Sequence, residues 1–192
     1  DKLFFVTPHA GNYDYGAAFL ADRYGGCTTV AEALKPDRLF RKFVEFRNSR
    51  GLEILGTKDH GLIDTLCRRV DSHMMTGVVA DRDLSRHGVP VQFFGEPTRF
   101  PRGPATVARR TGAKILPVGF YYTPTSAAAT IFPALEVPHT DDESEDIRIA
   151  TQAYADQLAV GIAAHPQDWH MLQPLWLDDL DPRRESQRTA VR

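Results

Sequence analysis

Cysteine is scarce in this chain. Only Cys27 and Cys67 occur in 192 residues, and their separation fits neither a zinc nor a redox spacing, so both are expected as reduced thiols. No apolar run reaches the roughly 18 to 20 residues of a membrane span. Neither a Gly-x-Ser-x-Gly elbow nor a P-loop is present, which removes the commonest serine-esterase and nucleotidase readings. There is also no initiator Met and no signal peptide before the first strand-like segment, so a longer protein with a further N-terminal portion is expected. Charge of one sign is lacking too: 23 Lys and Arg face 25 Asp and Glu, a net charge of −2. That balance argues against nucleic-acid binding by the whole surface. With 42% hydrophobic and 25% charged residues, the composition suits one globular domain with a real core. It is expected over residues 1–180. From Asp181 onward the chain is charged and poor in apolar residues, hence a frayed tail is expected over 181–192.

The even charge hides a local asymmetry. Lys35, Arg38, Arg41, Lys42, Arg47 and Arg50 stand against Asp37 and Glu45. Leu39, Phe40, Phe43 and Val44 recur there at helical spacing. A basic amphipathic helix follows, with either a merely solvated face or a face for anionic lipid or phosphate. The acidic block Asp141-Asp142-Glu143 with Glu145-Asp146 is expected as a solvated loop leading into a helix, with no role of its own.

Periodicity and turn residues divide the rest. Strands are expected at Leu3 to Val6, Cys27 to Ala31, Leu52 to Leu55, Gly77 to Ala80, Ile115 to Tyr122 and Ala129 to Phe132, the last at an edge. Helices are expected from Tyr15 to Tyr24, from Asp37, from Asp59 to Ser72, from Ala105 to Thr111 before the cap Gly112, and from Ile147 to His165. Val91 to Arg99 reads as a polar-tipped loop or hairpin. Alternating strands and helices predict an α/β fold with a mainly parallel central sheet flanked by helices. Most of the aromatics, among them Phe5, Phe19, Phe40, Phe43, Phe93, Phe94, Phe120 and Tyr121, are expected in the core.

His9-Ala10-Gly11-Asn12-Tyr13-Asp14 follows the first strand and opens the first helix. Such strand-to-helix turns carry active-site groups in α/β folds. A His and an Asp at this spacing arise by chance about 0.6 times in a chain of this composition, so the pair needs its context. Asp81-Arg82-Asp83 supplies part of it, directly after the fourth strand, at the carboxyl edge where open sheets bind ligands. Asp81 could orient an arginine, bond a substrate or cap a helix. Arg82, Arg99 and Arg102 are candidates for phosphate or thioester contacts, or for surface salt bridges. His60 and Asp64, one helical turn apart, find no third ligand at a firm spacing, and no metal is expected.

Six separated segments in order, His9 to Asp14, Thr29 to Pro36, Ala80 to Leu84, Phe93 to Gly95, Gly103 to Ala105 and Asp168-Trp169-His170, resemble the bacterial lipid A lauroyl/myristoyl acyltransferase family. Within it they look closest to the actinobacterial phosphatidylinositol mannoside acyltransferases. The resemblance covers nearly the whole chain. It implies a glycerolipid-acyltransferase-like fold over 1–180 and a peripheral protein at the cytoplasmic face of the cell membrane. The implied reaction moves a fatty acyl chain, palmitoyl in that branch, from acyl-CoA as co-substrate to a mannose hydroxyl of a phosphatidylinositol mannoside, with no cofactor. Another glycolipid or lysolipid acceptor, or a catalytically silent lipid-binding relative, are the alternatives. The family's His and Asp map onto His9 and Asp14; its carboxylate after the fourth strand maps onto Asp81. Glu32 and Arg47 lie where relatives carry an acidic and a basic active-site residue.

A sugar hydroxyl is a poor nucleophile near neutral pH and needs a base within hydrogen-bond reach. Imidazole suits that task, its ordinary pKa being about 6.5. Asp14 is expected to hold the other ring nitrogen of His9, as the carboxylate of a hydrolase triad does. With the acceptor hydroxyl in place of a serine, direct transfer without an acyl-enzyme follows. Backbone amides around Gly11 or Gly103, or a guanidinium, are candidate oxyanion donors.

Overall fold

Phe4 and Val6 are fully buried while Phe5 and Thr7 beside them are only half-buried, so the first strand, β1 (Leu3–Thr7), presents two different faces. The structure, a computed structural model, describes residues 1–33, 35–83, 85 and 87–179. The expected tail 181–192 and residues Leu34 and Leu84 of the quoted segments lie outside the described residues.

The chain continues through α1 (Tyr13–Tyr24), β2 (Cys27–Ala31), α2 (Asp37–Asn48), β3 (Leu52–Gly56), α3 (Leu62–Asp71) and β4 (Met75–Val79). Then come β5 (Val89–Phe93), β6 (Glu96–Phe100), α4 (Gly103–Thr111), β7 (Lys114–Tyr122), β8 (Ala127–Ile131) and α5 (Glu143–Ala164). The main sheet has the order β3-β2-β4-β1-β7-β8. Its pairs are parallel except β7 with β8, which is antiparallel and puts β8 at the edge. The mainly parallel α/β sheet is thus as expected, and β5 with β6 settles the loop-or-hairpin alternative as a separate hairpin.

One face of the sheet is covered by α3, α4, α5 and the hairpin, where Leu66, Val107, Leu158 and Phe93 pack around Phe4 and Val6. This is the main core. On the other face α1 packs Ala17 and Ala21 against Cys27 and Leu52, covering only part of the sheet. That uneven cover leaves an apolar groove. Phe5 and Phe120 form part of its lining and Phe19, 57% exposed, reaches its rim. Of the eight aromatics expected in the core, only Phe93 is fully buried. For Phe5, Phe19 and Phe120 the difference follows from the topology, because a sheet with helices on mainly one side leaves apolar residues of the other face for a groove.

In α5 the buried stripe runs through Ile147, Tyr154, Leu158 and Ile162. Ile149 is 42% exposed, since at about 100° per residue it falls off that stripe. The acidic block does have a role: Asp142 caps α5 by accepting from the Glu145 amide, and Asp146 is buried against Arg109 at 2.9 Å. Helix α2 has no buried residue. Phe40 and Phe43 stack on each other there, while Leu39 and Phe46 are exposed.

Candidate active site

The parallel register of β1 with β4 pairs Thr7 with Val79. Two residues beyond each lie His9 and Asp81, at the carboxyl edge of neighbouring strands. Asp81 is completely buried. Its Oδ1 meets His9 Nδ1 at 2.5 Å, and its Oδ2 accepts from the His9 backbone N–H at 2.9 Å. A carboxylate only accepts when ionised, so with Asp81 in that form the contact selects the Nδ1–H tautomer and leaves the Nε2 lone pair available. The His9 side chain is 33% exposed. A half-open imidazole anchored by a buried carboxylate is an arrangement that can take a proton from a hydroxyl.

The bond expected between His9 and Asp14 is replaced by another. Asp14 is ion-paired with Arg47, half exposed at the start of α1, where it joins that helix to α2. The reason is directional: Asp14 is already inside α1 and its side chain leaves the turn on the side of α2. Arg47 is nearly buried and also lies over the Phe43 ring, 3.8 Å from its centroid. Asp14 and Arg47 both line the apolar groove, as does Tyr13. The Tyr13 ring meets that of His9 edge-on at 5.9 Å; burial above all, with the neighbouring Asp14, pushes its hydroxyl above the ordinary range. From there the groove runs beneath α1 to Cys27 and Leu52 at the opposite ends of their strands. Burial pushes the Cys27 thiol up to about 11, which keeps it protonated and poorly nucleophilic.

The other expected residues are dispersed. Glu32 is exposed just beyond β2, Arg82 is bonded to Gln173, and Arg102 is exposed at the entrance of α4. None of these three bonds to His9 or Asp81. Arg99 is half-buried in β6, across from Pro90 in the hairpin. Gly11 is withdrawn as an oxyanion donor, because its N–H is given to the Asp168 carbonyl at 2.9 Å. Asp64 pairs with Arg110 at 3.3 Å, and the His165 ring stacks on Tyr121.

The segment Asp168-Trp169-His170 carries part of the family resemblance, but nothing in its sequence ties it to His9. The structure lays it along the His9 turn. Trp169 Nε1 donates to Asp81 Oδ2 at 2.9 Å, and the His170 N–H donates to the His9 carbonyl at 2.7 Å.

Among the described residues, no helix is long and apolar enough to cross a membrane. The family model described as "Bacterial lipid A biosynthesis acyltransferase" matches residues 1–178. A protein named phosphatidylinositol mannoside acyltransferase, from Mycobacterium tuberculosis (strain CDC 1551 / Oshkosh), is 44% identical over 184 residues, covering 95% of this chain and 57% of its own length. Its namesake from Mycolicibacterium smegmatis is 42% identical over 183 residues, covering 94% of this chain and 59% of its own. The chain therefore spans somewhat more than half the length of these relatives. With the family model matched over nearly all of its length, around the turn that carries His9, the chain belongs to the bacterial lipid A biosynthesis acyltransferase family.

Proposed function

We propose that this protein transfers a fatty acyl chain, palmitoyl in the first instance, from acyl-CoA to a mannose hydroxyl of a phosphatidylinositol mannoside. The observation that carries the reading is the His9–Asp81 pair standing next to an apolar groove. The acyl chain lies in the groove, which puts its thioester near the turn after β1. His9 Nε2 removes the proton of the acceptor hydroxyl as its oxygen attacks the thioester carbon. Asp81 holds the Nδ1–H and stabilises the imidazolium that forms. Collapse of the tetrahedral intermediate expels the CoA thiolate, which takes the proton back from His9. Direct attack leaves no acyl group on the enzyme. The names of the relatives from Mycobacterium and Mycolicibacterium support the acceptor.

The protein works at the cytoplasmic face of the membrane as a peripheral enzyme. Helix α2 supports this with exposed Leu39 and Phe46 beside Arg38, Arg41 and Lys42, a composition that suits an anionic lipid surface. Cosedimentation with anionic vesicles that survives Leu39→Ser with Phe46→Ser would remove this part of the reading.

Radiolabelled palmitoyl-CoA, given with and without mannosylated phosphatidylinositol, tests the reaction. Label is expected in the glycolipid, only when the acceptor is present, and not in the His9→Ala variant. Label recovered only as free acid would make the protein a hydrolase, and a palmitoyl adduct on the protein in single turnover would exclude direct attack.

A further inference from the structure

The Asp168-Trp169-His170 segment touches both members of the His9–Asp81 pair, from the far end of the chain. Asp168 ends a short 3-10 turn (Pro166–Asp168). Its carboxylate accepts from the Tyr122 N–H at 2.9 Å, which fastens the segment to the end of β7. Its carbonyl accepts from Gly11, and the next residue but one donates to His9. Ala10 and Trp169 form an isolated antiparallel bridge between these bonds. The main chain of the catalytic turn is thereby held on both sides of Ala10.

The side chain of Trp169 continues the same grip. Its indole N–H reaches Asp81 Oδ2, the oxygen that also takes the His9 backbone N–H, leaving Oδ1 to the ring. The indole itself is wedged among Phe93, Phe94 and Trp176, with ring centroids at 6.0, 6.0 and 6.2 Å. An indole nitrogen only donates, so this contact cannot be reversed. Together with the His9 backbone N–H it holds one oxygen of the carboxylate and so fixes the plane in which the other faces the ring.

We infer that Trp169 is a positioning residue which acts through Asp81, fixing the carboxylate so that His9 is kept as the Nδ1–H tautomer with Nε2 facing substrate. The inference rests on the proposed role of His9 as base, but its structural part can be read without any turnover. Outer-shell groups that orient a metal-ligating histidine through its carboxylate partner are worth roughly 10- to 100-fold, and a similar magnitude is expected for the same carboxylate–histidine geometry at His9.

The test uses Trp169→Phe, which retains a ring among its aromatic neighbours, together with benzothienylalanine at position 169, which retains the indole shape and lacks the N–H. Nitrogen-15 spectra of the His9 ring in the substrate-free protein should show one tautomer in the wild type and a mixture in both variants. kcat should fall about 10- to 100-fold with KM for the acyl donor within about twofold, with the isosteric variant still unfolding cooperatively at a modestly lower melting temperature. In an Asp81→Asn background the same changes should cost less than about twofold more, since residues acting as one unit are not additive. An unchanged tautomer in the isosteric variant, or a full additional loss on top of Asp81→Asn, would overturn the inference. Absence of acyl transfer by the wild type would instead refute the proposed reaction, and the tautomer spectra would still decide the positioning role.

Discussion

His9 and Asp81, 72 residues apart in sequence, share a bond of 2.5 Å, whereas Asp14, in the first turn of α1 just after His9, is paired with Arg47. Asp81→Asn should therefore lower kcat by about 10⁴, the loss expected when the base is left in the wrong tautomer. Asp14→Asn should cost clearly less and affect the joint between α1 and α2 instead. Steady-state kinetics of the two variants decide this, and a larger loss in Asp14→Asn would return the orienting role to Asp14.

The groove reaches Cys27 and Leu52 at the amino ends of β2 and β3, some four residues or roughly 13 Å of strand from the edge that carries the His9 turn. Cys27→Phe should fill that inner end and move donor preference toward shorter acyl chains, leaving transfer from a short-chain donor within about twofold, because uniform loss of binding contacts leaves the chemical step alone. Competition between acyl-CoA donors of graded length gives the measurement. An unaltered preference would mean that the chain does not run to Cys27.

Gly11 has φ +56°, and a Cβ built there would stand 2.5 Å from the carbonyl carbon of Phe120. Gly11→Ala should destabilise the protein by about 2 kcal/mol or more and reduce transfer sharply, since the turn must shift to relieve the clash. Gly25, also left-handed but with open space around it, is the control: Gly25→Ala should cost about 1 kcal/mol with activity intact. Thermal unfolding and turnover of the two variants would contradict this if they matched.

Asp146 accepts from Arg109 Nε, the Thr140 N–H and the Thr140 hydroxyl at 2.8 to 2.9 Å. Burial alone pushes its carboxyl up, but these donors outweigh it and hold it below the ordinary range. A carboxyl depressed in the folded state adds stability above its unfolded pKa of about 3.9 and loses it as pH falls through the lower folded value. The gap in melting temperature between wild type and Asp146→Asn should be full at neutral pH and narrow below about pH 4. A gap independent of pH would show that the charge contributes nothing.

Much of the fold was legible in short-range signals. β2 (Cys27–Ala31) was bounded correctly by its β-favouring composition, and the left-handed Gly112 closes α4 as expected, just as the left-handed Gly25 closes α1. Boundaries drifted where side chains outside the apolar stripe do the work: α5 begins at Glu143, four residues before the first apolar residue, because Asp142 caps it. At the candidate site, the turn of His9 was legible because it follows a strand and carries the family's pattern. The carboxylate that its ring meets was not, since Asp14 offered itself at a shorter spacing in sequence.

By itself, then, the sequence determined the order of the main strands and helices, the Gly112 cap, the family and the imbalance of charge on α2, most of which depend on residues a few positions apart. Tertiary structure alone decided which carboxylate serves His9, that Trp169 grips it from 88 residues away, and that aromatics expected in the core line a groove. The reason is strand order: β1 and β4 become neighbours only when the sheet assembles, and their register, Thr7 beside Val79, is what brings residues 9 and 81 together.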